Sequence, residues 1–579
     1  MGSLRLIFPW LGPYRKQAIA AIASTIAVVV INIAIPLLTA RIIDDGIAAD
    51  SLTVVAQTTL IMIALVGVAL MFSAFAAVLG VRVAFGVEAD LREDLFRHIQ
   101  TFSFSNLDEI ETGQLLVRLT SDVTKVRQVF AFGLSILAQA PLAFVGSLLA
   151  MLALDLQMAS IMLVLLPITS VITWYVASRS DVLYELVQSK LDRLNTVLRE
   201  NLAGAQVVKA FVREDHEAAR FDEVNTDLTE HAAEVNMLVS MLFPALLGVM
   251  NLGVAAVIWI GGNTVIEGRM TDGNLVAFIN YLLATTFPIV MFAFIQPMLS
   301  AAGASARRIN RVLATAPAVA DSTDPQRPEH MMGHIRFEEV SFGYGGSEQV
   351  LEDINLDIPA GTTTAILGAT GSGKSTLVNL IPRFYEVSHG SVSLDGIDIR
   401  DYSKDDLRRN IGVSLQSAVL FSGTIRDNIR YGRPTATHEE VEGAARVAQA
   451  HDFIVALDDG YDSLVQQGGT NLSGGQRQRL AIARALLVDP KVLILDDSTS
   501  AVDVETEAYI QEAISELSGE RTIVLVAQRI STALGADEIV VLDEGRVVAV
   551  GPHADLIRSS AIYRDIFRSQ LGEPSEIAT

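Results

Sequence analysis

Apolar runs of about 20 residues, the length a helix needs to cross a bilayer, recur six times in the first 302 positions. They extend from about Gln17 to Thr39, Leu52 to Gly80, Phe130 to Leu154, Met158 to Ala177, Leu238 to Val265 and Leu275 to Ala302. None carries a charge in its middle, and the pattern predicts six membrane-spanning helices. The first run is too long for a signal peptide, lacks a clear cleavage site and is followed by further spans. Two polar stretches, roughly 81–129 and 178–237, keep a helical period, as at Leu183, Leu186, Leu191 and Leu194, and contain no proline. They predict continuous helices that carry the spans out of the membrane and back. From about residue 333 the pattern changes to short buried strands alternating with helices. The expected organisation is a membrane domain over 1–312, a Pro/Ala/Ser/Asp-rich linker over 313–332 and an α/β domain over 333–579.

Lys and Arg set the orientation. Arg5, Arg15 and Lys16 precede the first span, Arg92 to Arg127 lie between the second and third, and Lys190 to Arg213 between the fourth and fifth. Arg307, Arg308 and Arg311 follow the sixth, whereas the first short loop holds Asp44, Asp45 and Asp50. A multi-pass protein of the cell membrane with both termini cytoplasmic is expected. Asn32, Asn251, Asn280 and Gln296 are the polar groups near membrane depth, and they suit helix packing. The lack of an intramembrane charge argues against an ion-coupled carrier.

Composition sharpens this division. The chain has 579 residues, half of them hydrophobic and 19% charged, below the roughly 25% of soluble domains. Residues 1–320 carry 21 Lys+Arg against 26 Asp+Glu, and the remainder 22 against 40. The acidic excess therefore belongs to the α/β half, and the overall charge of −23 argues against a nucleic-acid partner. The absence of cysteine excludes disulfides, thiolate zinc sites and a cysteine nucleophile.

Residues 368–376 read Gly368-Ala369-Thr370-Gly371-Ser372-Gly373-Lys374-Ser375-Thr376. An apolar strand pattern, Thr364–Leu367, precedes them and an apolar helix start, Leu377–Ile381, follows, which is the context a GxxxxGKS phosphate loop requires. Its glycines let backbone N–H groups approach phosphates, Lys374 reaches the β- and γ-phosphates, and Ser375 ligates Mg²⁺. The buried strand Val492–Asp496 ends in a carboxylate, which fits the Mg²⁺-side aspartate of a phosphate-loop NTPase. Between these motifs lies Leu472-Ser473-Gly474-Gly475-Gln476, before an apolar helical run. A Ser-Gly-Gly helix start is an anion site, and it is not needed by the chain's own phosphate loop, which already has its donors.

Phosphate loop, Gln416, Leu-Ser-Gly-Gly-Gln and Asp496, in this order, resemble an ATP-binding cassette. With six preceding spans and long cytoplasmic helices, nearly the whole chain resembles a half-transporter of the exporter (type IV) fold. The resemblance implies that Tyr344 stacks on adenine and that Gln416 contacts Mg²⁺ and couples to the membrane helices. It implies that Ser473 and Gly475 reach the γ-phosphate held by a second cassette, and that the loop with Ser500 and Asp503 crosses the dimer interface. Residues near Leu115–Val123 and Phe211–Asp215 resemble the two coupling helices. The family sandwiches two ATP molecules between two cassettes, so a second half-transporter is required.

Two positions depart from the family pattern. The glutamate that polarises the attacking water is Asp497 here, one methylene shorter, and a misplacement of about 1 Å costs roughly 100-fold in rate. The switch histidine is Gln528, which can hydrogen-bond a phosphate but cannot carry positive charge. Gln467 stands where a glutamate is usual. Both principal changes weaken the same γ-phosphate chemistry while the signature is intact. The resemblance is therefore to the degenerate-site subunit of bacterial heterodimeric multidrug exporters, with amphiphilic or apolar cargo. A homodimeric exporter and a same-fold importer of siderophores or lipids are the alternatives.

Overall fold

The structure is a computed structural model that describes residues 2–571 other than 329 and 347; within its helices some side chains, Gln296 among them, lie outside the described set. The chain forms two compact units, Met1–Ile99 with Gly113–Thr315 and Gln100–Thr112 with Ala316–Thr579.

The first unit is all helical. Leu52–Gln100 and Leu156–Ala203 are single helices of 49 and 48 residues. At 1.5 Å per residue each is about 70 Å long, more than twice a hydrocarbon core of about 30 Å. The expected continuation of the spans into the cytoplasmic stretches is seen in these two helices. The returning limbs are broken. One breaks before the short helix Phe104–Glu109, and the other before Glu214–Ser240, where Val212 takes φ +52°.

Among the described residues, four helical runs are long and apolar enough to cross a membrane: Phe8–Ile47, Leu52–Gln100, Leu156–Ala203 and Glu214–Ile266. Ala138–Leu154 is apolar but shorter. Two of the six expected runs are not among these four. The third is divided by a widened turn at Gly133–Leu137, and the sixth is split at Thr285 into Asp272–Ala284 and Thr286–Ala314. Pro288, in the first turn after that split, removes a backbone donor. Little of the apolar surface is covered by protein: 28% of the most apolar stretch is buried in three of the runs and 6% in Leu52–Gln100. Apolar surface on this scale belongs in lipid.

Methionines fill the interior of this unit, with Met151, Met158, Met162 and Met250 packed against Phe278 and Leu282. Their flexible thioethers suit the irregular gaps between crossing helices. At one end, Asp44 Oδ1 accepts the Gly273 N–H at 2.8 Å, joining the turn Ile42–Ile47 to the start of the helix Asp272–Ala284. Toward the charged end, Asp122 is fully buried, accepts a 2.8 Å bond from the Ser305 hydroxyl and pairs with the Arg308 guanidinium. Burial alone would raise its pKa, but hydrogen bonds from Arg308 and Ser305 hold it below the ordinary carboxylate value. Such a group stabilises the fold above the carboxylate range, and the contribution is lost as pH falls through its depressed pKa. Arg308→Ala leaves a buried carboxylate unpaired and should cost about 3 kcal/mol at pH 7. Thermal unfolding of the detergent-solubilised protein should show that loss shrinking as pH is lowered toward and below about 4; an equal loss at both pH values would contradict it.

The second unit is built on a six-stranded sheet in the order Arg546–Gly551, Glu538–Asp543, Thr363–Leu367, Thr522–Val526, Val492–Asp496, Ile411–Ser414. The last five are parallel and only the Arg546–Gly551 edge is antiparallel. Every residue of Thr363–Leu367 and Val492–Asp496 is buried, as expected of parallel strands covered on both faces. An antiparallel four-stranded sheet, with Ile335–Phe342 between Leu351–Ile358 and His389–Leu394, adds the second layer. Within the stretch expected to be a linker, the helix runs on to Ala314. The chain then lies along this unit: Asp321 Oδ1 accepts the Lys404 N–H at 2.8 Å and the Gln326 N–H donates to Asp401 O at 2.8 Å.

Candidate nucleotide site

Four parallel strands deliver the site from their carboxyl ends. Val526 pairs with both Ile366 and Asp496, and Ser414 with Leu495. The residues that follow each strand therefore emerge side by side: the phosphate loop, Gln416, Asp497 and Gln528. A crevice at the carboxyl edge of an α/β sheet is where such folds bind ligands. Here it is a cavity of about 300 Å³ lined by Thr370, Gly371, Lys374, Ser375, Thr376, Gln416, Asp496, Asp497 and Gln528.

The loop closes tightly. A Cβ at Gly368 would lie 2.1 Å from Leu542 O, and Gly373 takes φ +99°, a region that favours glycine. The helix begins at Lys374, earlier than the expected Leu377, so Ser375 and Thr376 sit in its first turn. Lys374 is buried, with Nζ donating to Gly368 O at 2.9 Å and Ala369 O at 2.7 Å. Burial lowers its pKa, opposed by the charges of Asp496 and Asp497. Asp496 is shifted up by burial and by Asp497, opposed by the Ser375 hydroxyl and Lys374. The Ser375 hydroxyl donates to Asp496 Oδ1 at 3.0 Å. These oxygens suit a hard cation. Among the described residues no group of three His, Cys, Asp or Glu could hold a metal by itself, so Mg²⁺ here would need phosphate oxygens or water as further ligands. Ser372 Oγ is buried without a partner among the described residues, as befits a loop shaped for an anion.

The two departing positions touch each other. Asp497, at φ +47°, accepts on Oδ2 from Gln528 Nε2 at 2.7 Å and from Gln416 Nε2 at 3.2 Å. Two neutral amides thus hold one carboxylate oxygen. Tyr344 stands at the end of the loop, its hydroxyl 3.0 Å from Thr376 Oγ1 and its ring edge-on to Phe342 and Tyr385.

Leu472–Gln476 does not line this cavity. It opens the helix Gly474–Leu487, where Ser473 Oγ accepts the Gln476 N–H at 3.2 Å and Gln476 Oε1 accepts the Ser473 N–H at 2.9 Å. That reciprocal pair is a capping box. A Cβ at Gly475 would meet Ala501 O at 2.9 Å, so the loop holding Ser500 packs directly on the signature. Asp503 caps the next helix, Val504–Ser515, accepting the Thr506 N–H at 2.9 Å. Sequence reading missed Gln478, which binds the Ala501 N–H at 2.9 Å and the Ser500 hydroxyl at 3.3 Å. Gln478 lies between Arg477 and Arg479 in the sequence, where no local pattern marks it, and only its burial in the fold sets it apart.

Residues 100–112 belong to this unit. The Phe104 ring lies 4.7 Å from Phe384, the Tyr385 hydroxyl donates to Asp108 Oδ2 at 2.8 Å, and Asn106 Oδ1 accepts the Ala318 N–H at 2.9 Å. The short helix Phe104–Glu109 therefore packs within this unit, whereas the expected coupling segment Leu115–Val123 lies in the other unit. Aromatic packing of Phe104, invisible to periodicity, decides the position.

A family model described as ABC transporter transmembrane region matches residues 18–289, and one described as ABC transporter matches residues 351–500. The ABC transporter ATP-binding protein YfiB of Bacillus subtilis (strain 168) is 36% identical over 564 residues, covering 97% of this chain and 98% of the relative. This chain is a half-transporter of the ABC exporter family. YgaD of the same organism, named for multidrug export, is 35% identical over 581 residues, covering 98% of this chain and 100% of the relative. A solved bacterial Atm1-family ABC exporter with ATP bound superposes with a TM-score of 0.82 at 26% identity, over 97% of this chain and 99% of the other. The half-transporter is accordingly a multi-pass membrane protein whose second unit is an ATP-binding domain, and ABC exporters work as dimers.

Proposed function

We propose that this half-transporter drives export of amphiphilic or apolar compounds, drugs or lipids, across the cytoplasmic membrane as one half of a heterodimer. In this reading it has six spans, both termini are cytoplasmic, and its own ATP site is the slow one. The observation that carries the proposal is the pair of glutamine amides on Asp497 Oδ2. A carboxylate that is one methylene short and occupied by two amides is poorly placed to polarise water, and Gln528 cannot supply the charge of a histidine. The capped, unaltered signature supports the complementary half of the reading, a role in the partner's site. The name of YgaD favours drug-like cargo.

The roles follow. Tyr344 stacks on adenine, and the backbone of residues 368–376 with Lys374 cradles the phosphates. Ser375, Asp496 and Gln416 would hold Mg²⁺, which when bound neutralises charge on the β- and γ-phosphates. Leu472–Gln476 completes the partner's site, and Ser500 and Asp503 lie in the crossing loop. ATP favours the closed cassette dimer by binding it more tightly than the open one, and the segment Phe104–Glu109 carries closure to the membrane helices.

The test is accumulation of a fluorescent amphiphile in inside-out vesicles, with this chain expressed alone or with a half-transporter that carries the glutamate and histidine. Uptake should require both chains and ATP. Equal uptake with this chain alone would refute the heterodimer, and accumulation only in right-side-out vesicles would refute export.

A further inference from the structure

Glu507 lies in the helix Val504–Ser515, is only 6% exposed, and is absorbed by none of the roles above. Its Oε1 accepts from the Thr499 hydroxyl at 2.9 Å and the Thr532 hydroxyl at 2.8 Å, and its Oε2 from Arg529 Nη1 at 3.1 Å. Gln511 Nε2 lies 3.4 Å from Oε1. A buried carboxylate is costly unless it is paired and hydrogen-bonded, and here the bonds from Thr499, Arg529 and Thr532 reach segments next to Asp497 and Gln528. Thr499 is two residues beyond Asp497 and adjoins Ser500. Arg529 and Thr532 flank the start of the segment that follows Gln528.

The other side of the same loop is held as firmly. Gln478, two residues into the helix beyond the signature, accepts the Ala501 N–H on Oε1 and donates from Nε2 to Ser500 Oγ, and Gly475 has no room for a Cβ against Ala501 O. A path of hydrogen bonds and close packing, joined by the peptide links Gln528–Arg529 and Thr499–Ala501, therefore runs from Gln528, which touches Asp497 in this chain's own cavity, through Arg529, Glu507 and Thr499 to the signature. Hydrogen-bonded networks of this kind can act as units with two arrangements.

We infer that Glu507 is a positioning residue that transmits the state of this chain's own ATP site to the crossing loop and the Leu472–Gln476 signature, and so sets turnover at the partner's site. The inference rests on the unequal-site reading proposed above. Nucleotide that draws Gln528 toward a γ-phosphate pulls on Arg529 and Thr532. Glu507 passes that displacement to Thr499 because both hydroxyls share Oε1. Glu507→Ala removes the common acceptor. Glu507→Gln keeps an acceptor oxygen for the two threonines and loses the ion pair with Arg529, so it should retain part of the coupling.

The experiment is a cycle on the co-purified heterodimer, measuring the KM and kcat of ATP turnover for wild type, Lys374→Ala, Glu507→Ala and the double variant. Lys374→Ala, which weakens this chain's own site, should raise the KM at the remaining site by about 5-fold or more. In the Glu507→Ala background the same substitution should change KM less than 2-fold, with Glu507→Gln intermediate. A merely structural role would lower kcat or thermal stability and leave the Lys374 effect on KM intact; that outcome overturns the inference. If Glu507→Ala does not fold, Glu507→Gln takes its place, and an undiminished Lys374 effect there counts equally against it. If Lys374→Ala abolishes turnover outright, the unequal-site reading fails and the inference falls with it.

Discussion

Purified alone, the half-transporter should hydrolyse ATP about 100-fold more slowly than in complex with a partner carrying the catalytic glutamate and switch histidine. The magnitude is that of a misplacement of about 1 Å in a reacting group. The geometry says how the rate could be restored. Asp497→Glu lengthens the carboxylate arm by one methylene, but the Gln528 amide at 2.7 Å would still hold an oxygen. Gln528→His removes that amide but leaves the carboxylate short. Each change alone should raise turnover of the isolated chain less than about 5-fold, and the two together about 10- to 100-fold, because contacting residues do not act additively. Steady-state turnover of the four proteins in nanodiscs measures this. Fast hydrolysis by the unmodified chain alone would end the slow-site reading.

The second large effect is an asymmetry between two motifs of the same chain. In the heterodimer, Ser473→Ala should reduce turnover about 100-fold, the cost of removing one donor from a developing anionic transition state. It also removes a helix cap worth about 1 kcal/mol, and a thermal melt measures that part separately. Lys374→Ala should reduce turnover less than about 10-fold, because the phosphates it binds are at the slow site. In a homodimer each substitution would damage both sites, and the two losses would be similar. Similar losses in the complex would therefore favour two equivalent sites.

The phosphate loop, the signature, Asp496 and the alternation of strands and helices were legible because each is a local pattern with its own chemistry. The juxtaposition of Asp497 with Gln416 and Gln528 was not legible. It depends on Ile411–Ser414, Val492–Asp496 and Thr522–Val526 being parallel neighbours, and strand order is not encoded in any window of sequence. The packing of Phe104–Glu109 on the second unit was not legible for a related reason. Residues 104–109 are too few to show a period, and their position is fixed by Phe104 against Phe384 and Tyr385. The apolar runs also do not show the widened turn at Gly133–Leu137 or the split at Thr285, to which hydropathy is blind. Glu507 and Gln478 carry no motif, and only burial with named partners brings them out.

By itself the sequence determined that one half of this chain belongs in lipid and the other binds nucleotide, because transfer of apolar side chains and the geometry of a glycine-rich phosphate loop are properties of short segments. It also determined that Asp497 and Gln528 depart from the catalytic pattern. The tertiary structure decided that these two side chains meet on one carboxylate oxygen, and that Glu507 and Gln478 tie the loop between them to the signature. Those relations join residues from separate strands and helices, and the bonds of Glu507 and Gln478 draw their strength from a buried setting in which an unpaired carboxylate or amide is costly.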